Sequence, residues 1–333
     1  MRKVLVSILS EHLIPNYLFI KEMKGKFEQH LFISTDYIES KNIGKHLEDA
    51  LYYKERKRVE RVIVDNDNYH TTIAKLSKHG LSDKDEYIIN LTGGTKIMSI
   101  AVHDFFQSYK SHFYYVPISK NTYYDFDKKA SSPLSYRITL IEYFTLYGLK
   151  FDCDNNLIKK QDYTLNYFED IKKGKYPPLS TTFVKKQKNS ELKCYYSGSW
   201  FEEYTYLRLK KELNLGDNYI AMSLKIYRDD LNKNDNELDV VFVYENTLYV
   251  IECKVSMKGE PKKKEQDVIV EYMYKLASVS KDFGLKVYSY LFTLHNLNEL
   301  KKETLQHIHK RAQILGINKI ITMNELKEDK INL

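Results

Sequence analysis

The chain has 333 residues, 43% of them hydrophobic and 29% charged, which excludes a disordered polypeptide and leaves room for two domains with separate cores. A formal net charge of +7 suits an anionic partner, but scattered surface lysines could produce it, so charge alone does not select nucleic acid. Three cysteines, Cys153, Cys194 and Cys253, lack CxxC spacing and argue for a reducing compartment and against a thiolate metal site. The opening MRKVLVSIL is too short for a signal peptide, and no run could cross a bilayer. A cytoplasmic location is expected.

In chain order, KVLVSIL, HLFIST, RVIVD, YIINL and HFYYVPI read as short β-rich runs. Between them lie helical patterns: PNYLFIKEMK, with Pro15 suited to a first turn, and NYHTTIAKLSKHG, stopped by Gly80. Alternation of this kind predicts an α/β class, with a Rossmann-like, mostly parallel sheet and helices on both faces. Ligands of such sheets sit beyond the carboxyl ends of the strands. The residues found there are Ser10-Glu11-His12, Thr35-Asp36, Asp65-Asn66-Asp67 and, after YIINL, the string Thr92-Gly93-Gly94-Thr95-Lys96. Two glycines permit close backbone approach, and a following helix offers free N–H groups beside the Lys96 charge, which makes an anion cradle. The spacing is not that of a Walker A loop. A plain tight turn capped by Thr95 would use the same string.

The pattern weakens from Asn121 to about Lys193. SYRITLIEYFTLYGLKFD predicts one short helix closed by Gly148 and then a strand. KKGKYPPLSTTFVKKQKNS has linker composition, and Pro177-Pro178 favours an extended spacer. Lys185, Lys186 and Lys188 read as a solvated charge run. The expected partition is a first domain over 1–135, a connector over 136–192 and a second α/β domain over 193–333.

In the last third, SGSWFEEYTYLRLKKEL has helical spacing, YIAMSLKIYR is a strand, and NELDVVFVYENTLYVIECK supplies two more strands. Strand alternation puts Glu237, Asp239 and Val241 on one face and Glu252 with Lys254 on one face, Cys253 pointing away. Two carboxylates ~4 Å apart repel by roughly 4 kcal/mol at an effective dielectric near 20, and a nearby Glu202 or Glu237 would add to that. A bivalent cation resolves the conflict, and oxygen donors point to Mg²⁺ or Mn²⁺ rather than Zn²⁺. A solvent-edge Glu–Lys pair is the plain alternative, but it does not explain Asp239 interrupting an apolar strand.

These residues carry two family resemblances. LDVVFV…YVIECK resembles the PD-(D/E)XK nuclease superfamily, with Asp239 as its D, Glu252-Cys253-Lys254 as its ExK, and Leu238 in place of the proline. GSWFEEY resembles that superfamily's first core helix, whose carboxylate would be Glu202, with Glu203 as the alternative. LSEHLIPN and NLTGGTKIMSIA resemble a CARF domain, the sensor of cyclic oligoadenylates. Both halves in this order are similar to the cyclic tetra-adenylate-activated CARF nucleases of type III CRISPR immunity.

The resemblance implies a homodimer that binds cyclic tetra-adenylate as activator. With Mn²⁺ or Mg²⁺ it would cut single-stranded DNA or RNA, or nick duplex DNA. Asp239, Glu252, Lys254 and Glu202 would be catalytic, with Asp239 and Glu252 holding the metal. Thr92, Gly93, Gly94, Thr95 and Lys96 would line the activator pocket, joined by Ser10, Glu11 and Asn16 of the first loop. DVIVEYMYKLASVSKDFG resembles the next core helix, with Tyr274 and Lys275 supporting the site, and Lys262, Lys263 and Lys264 would contact the nucleic-acid backbone. A nucleic-acid-binding regulator with an inactive nuclease fold is the competing expectation, as is a pocket that degrades its own activator. Activator ring size, DNA or RNA preference and the number of metals stay open.

Overall fold

The structure, a computed structural model, describes residues 1–51, 59–118, 120–176, 181–227, 236–256 and 265–333. They form two compact units, Met1–Leu149 and Lys150–Leu333.

The first unit runs β1 (Lys3–Ile8), α1 (Ile14–Glu22), β2 (Gln29–Ser34), α2 (Asp36–Ser40), α3 (Ile43–Ala50), β3 (Val59–Ile63), α4 (Tyr69–Lys78), β4 (Glu86–Asn90), α5 (Lys96–Phe106), β5 (Lys110–Tyr115), β6 (Thr122–Asp125), β7 (Ala130–Pro133) and α6 (Leu140–Leu146). Its sheet has the order β3-β2-β1-β4-β5-β6-β7. The first five strands are parallel, and β6 and β7 extend the edge antiparallel. Every residue of β2 and β4 is buried, as both faces of a helix-covered parallel sheet require. Pro15 opens α1 and Gly80 follows α4 with φ of +72°, both as the sequence predicts.

Strand order decides where a ligand can sit. The chain leaves β1 toward β2 on one side and returns at β4 on the other, so the loops after β1 and β4 diverge from adjacent strand ends. That crevice is the topological switch point of the sheet.

The second unit contains β8 (Lys150–Asp152), α7 (Gln161–Lys172), α8 (Thr181–Lys186), α9 (Ser190–Cys194), α10 (Trp200–Glu212), β9 (Ile220–Tyr227), β10 (Asn236–Tyr244), β11 (Thr247–Lys254), α11 (Glu265–Ser280), β12 (Val287–Thr293), α12 (Lys302–Leu315), β13 (Lys319–Ile321) and α13 (Met323–Leu326). Its sheet order is β13-β12-β11-β10-β9-β8, antiparallel from β8 to β11 and parallel from β11 to β13. Trp200, Phe201 and Leu209 of α10 pack with Val240, Phe242 and Ile251 of the central strands.

The segment expected as a connector is divided between the two units. α6 closes the first, ended by Gly148 at φ +67°, while β8 and α7 belong to the second. Helix α7 buries Thr164, Tyr167, Phe168 and Ile171, one face at helical spacing. Phe168 stacks on Tyr204 of α10 at 3.9 Å between ring centroids. Lys185, Lys186 and Lys188 are exposed, in keeping with a solvated run. Pro177-Pro178 lies outside the described residues. No helix among the described residues is long and apolar enough to cross a membrane.

Candidate active site and ligand loop

Strands β10 and β11 pair in register up to Val240 with Ile251. One residue further along each strand stand Asp239 and Glu252, so the antiparallel geometry brings the two acids opposite each other. Beyond the paired residues the Asp239 carboxylate takes over a backbone role, with Oδ2 accepting the Cys253 N–H at 2.7 Å. Cys253 itself is buried on the other side, its Sγ 3.5 Å from Thr205 Oγ1 of α10.

Lys254 binds the acids together. Its Nζ lies 3.0 Å from Asp239 Oδ2 and 2.7 Å from Glu252 Oε1, and it also donates to the Cys253 carbonyl at 3.1 Å. Burial by itself would lower the Lys254 pKa, but the two carboxylates outweigh it and raise the value, so the side chain stays a cation. Burial raises the Glu252 pKa, with the Asp239 charge adding to it and Lys254 and Lys275 opposing. The three residues read from the strands are therefore brought together.

The helix carboxylates separate clearly. Glu202 shares a cleft with Asp239, accepts from Ser223 Oγ at 3.3 Å, and is pushed up to about 8 by burial first and by Asp239 second. Glu203 is consumed structurally: it accepts the Ile158 N–H at 2.6 Å and the Thr164 hydroxyl at 3.0 Å. Glu237 also lines the cleft. On α11, Lys275 reaches Glu252 at 3.5 Å, whereas Tyr274 accepts from Arg311 Nη1 at 3.2 Å and braces α11 against α12. Lys262, Lys263 and Lys264 lie outside the described residues.

The cleft has a volume of about 580 Å³, and among the described residues seven carboxylic acids and two lysines line it. Asp152, at the end of β8, and Asp154, in the loop after it, contribute to this acidity, and sequence reasoning missed them because only the sheet edge carries them to the site. Among the described residues no group of three or more His, Cys, Asp or Glu is arranged to hold a metal. The donors still fit a hard cation. Two carboxylate oxygens already share one ammonium, and Mg²⁺-like ions commonly take one or two protein carboxylates with water and phosphate completing the shell.

A pH prediction follows from Glu202. Its folded pKa lies above that of an unfolded glutamate, so its contribution to stability is greatest below the ordinary carboxylate range and is lost as pH rises through about 8. Glu252 is shifted in the same direction. Melting of the chelator-treated protein should therefore fall between pH 5 and pH 8, and Glu202→Gln should flatten part of that fall. An equally steep fall in the variant would show that Glu202 does not titrate across this range.

The first unit presents the glycine loop. Thr95 caps α5, its Oγ1 accepting the Met98 N–H at 3.2 Å and its hydroxyl donating to the Asn66 carbonyl. Gly94 has φ of +72°, and a methyl on it would stand 2.6 Å from Ile8 Cγ2. A methyl on Gly93 would overlap the Ile8 carbonyl oxygen, so the loop rests directly on the end of β1. Lys96 is exposed in the first turn of α5.

The predicted pocket residues play different parts. Asn16 is 1% exposed and holds the frame together, donating to the Ile8 carbonyl at 2.9 Å and accepting from Asn90 Nδ2 at 2.7 Å. Thr92 donates to Asn90 Oδ1 at 2.5 Å and accepts the Val116 N–H at 2.7 Å. Asn90, which sequence reasoning passed over, is thus the hub that ties the first loop to the glycine loop. Ser10 makes a 3.5 Å contact to the His12 carbonyl, and Glu11 is exposed, accepting from Tyr37 at 2.5 Å.

A family model for the Card1 CARF domain matches residues 4–143, and one for the Card1-like endonuclease domain matches residues 189–332. No curated protein sequence matches the chain. Among solved structures, Can2 from Sulfobacillus thermosulfidooxidans in complex with cyclic tetra-adenylate is similar at 22% identity and a TM-score of 0.73, over 96% of this chain and 95% of that one. Protein VC1899 from Vibrio cholerae is similar at 17% identity and a TM-score of 0.74, over 98% and 95%. A type III CRISPR defence DNA nuclease activated by cyclic oligoadenylate aligns at 15% identity and a TM-score of 0.58, over 87% of this chain and 45% of that one. With the glycine loop inside the first matched segment and the Asp239, Glu252 and Lys254 cluster inside the second, the chain belongs to the Card1-type family, a CARF domain followed by a Card1-like endonuclease domain.

Proposed function

We propose that the protein is a cyclic tetra-adenylate-activated, metal-dependent nuclease of type III CRISPR antiviral defence, cutting single-stranded DNA or RNA and nicking duplex DNA. The observation that carries this reading is the pair of opposed acids, Asp239 and Glu252, bridged by Lys254, with Asp239 opening onto an acidic cleft. Nucleic acid is repelled by such a cleft unless cations neutralise it, which supports a metal requirement.

Asp239 and Glu252 would hold Mn²⁺ or Mg²⁺, which when bound polarises a phosphoryl oxygen and lowers the pKa of a bound water. Burial lowers the Lys254 pKa but the two carboxylates raise it by more, which favours a cation over a base. Its Nζ orients the attacking water and offsets charge developing on the phosphate oxygens. Glu202 lines the same cleft, and a proton on its carboxyl lowers the electrostatic cost of the Asp239 charge beside it.

The activator end follows from the loop geometry and from the ligand seen with Can2. Backbone N–H groups at the start of α5 and the Lys96 ammonium supply positive charge for phosphates, while Asn16, Asn90 and Thr92 keep the two loops in place. A homodimer with two-fold symmetry would offer identical loops to a near two-fold cyclic tetranucleotide, and closure on it would reset the pairing of the nuclease domains. The test is cleavage of labelled single-stranded DNA and RNA with Mn²⁺, with and without cyclic tetra-adenylate. Cleavage should need both additions, and activity indifferent to the activator would remove the gating.

A further inference from the structure

Glu252 does not itself line the cleft that Asp239 and Glu202 share, and its side chain is only 4% exposed. Lys275 connects it to the cleft, lining the cleft and placing Nζ 3.5 Å from Glu252 Oε1. The same oxygen already holds Lys254 at 2.7 Å. Two ammonium groups thus converge on one Glu252 oxygen, and together they shield it from a bivalent cation that would bind beside Asp239.

One ammonium has to yield, and the contacts say which. Lys254 is fixed by Asp239, Glu252 and the Cys253 carbonyl, and its side chain is 21% exposed. Lys275 has a side chain 50% exposed and makes, among the described residues, this one polar contact at the long end of the range. The helix beneath it does not need to move. Met273, Leu276 and Ala277 are buried, and Tyr274 is tied to Arg311. The four-carbon stem of Lys275 can therefore swing while its Cα stays fixed.

We propose that Lys275 is a movable counter-ion, which covers Glu252 while the site is empty, withdraws when a bivalent cation enters, and turns to the phosphodiester in the cleft. The inference rests on reading the cleft as a metal-dependent nuclease site and adds a positioning residue to it. A single positive charge near the cation opposes its binding, whereas the same charge in the cleft favours an anionic chain.

The two effects have opposite signs, and the test uses both on the full-length chain. By isothermal titration, Lys275→Met should bind Mn²⁺ about tenfold more tightly than the wild type. By fluorescence anisotropy with oligothymidylate, and Ca²⁺ replacing Mn²⁺ to hold off cleavage, the variant should bind more weakly, with a salt slope flatter by about 0.7. Lys275→Arg should stay near the wild type in both, and Lys275→Gln repeats the test if the methionine variant melts early. Unchanged or weaker Mn²⁺ binding by the neutral variants, with the wild type binding normally, would overturn the inference alone. A wild type that binds no Mn²⁺ would overturn the metal-site reading, and the inference with it.

Discussion

Asp239→Asn should lower metal-dependent cleavage by at least about 10³-fold, because a bound metal contributes several kcal/mol of transition-state stabilisation and an amide is a poor replacement for a carboxylate ligand. The same variant should melt no lower than the wild type. An amide oxygen can still accept the Cys253 N–H that Asp239 receives at 2.7 Å. Lys254 keeps Glu252 as its partner at 2.7 Å, so no buried cation is left alone. Burial is the main cause of the raised Glu202 and Glu252 pKa values, and removal of the Asp239 charge takes away the second, smaller cause. Asp239→Ala should be just as inactive but less stable by about 1–3 kcal/mol, since the buried N–H then has no acceptor. Paired cleavage assays and chelator-treated melts check this. An asparagine variant that cuts within tenfold of the wild type would remove Asp239 from the metal set.

Gly93→Ala should weaken cyclic tetra-adenylate binding at least tenfold and should lower the melting temperature. The new methyl would overlap the Ile8 carbonyl oxygen, which is backbone of a buried central strand, so the loop must lift instead. Overpacking of this kind costs about 1–3 kcal/mol, and 1.4 kcal/mol is a factor of ten in affinity. Lifting the loop pulls on Asn16, whose Nδ2 reaches the same carbonyl at 2.9 Å, and through it on Asn90 and Thr92. Calorimetric titration with the activator is the direct measurement. Affinity equal to the wild type would mean that the glycine loop is not part of the pocket.

Much of this arrangement is legible in the chain before folding. The alternation of strands and helices, Pro15, Gly80 and Gly148 punctuate the elements where the structure has them, because local backbone preferences act there without competition. Asp239 and Glu252 can be paired from the strand periods flanking a short turn, since hairpin register follows from the turn. Helix α7 was also readable from Thr164, Tyr167, Phe168 and Ile171, but the lysine- and proline-rich stretch just after it masks the pattern. The β6 and β7 strands are polar edge strands, and an edge needs little apolar alternation to form.

What the sequence determined by itself is the identity of the chemical groups and their order: a glycine loop opening a helix, then an acid and an acid–x–lysine on consecutive strands. Tertiary structure decided which of the candidates point inward and what they touch. Glu202 and Glu203 both line the cleft, but Glu203 is also bonded to Ile158 and Thr164, and Asn16 is a buried strut between Ile8 and Asn90. Lys275 and Asp154 reach the cleft from segments far away in the chain. Local propensities set periods and turns over a few residues, whereas the environment of a charge is set by every element packed against it, and that sum exists only once the two sheets have formed.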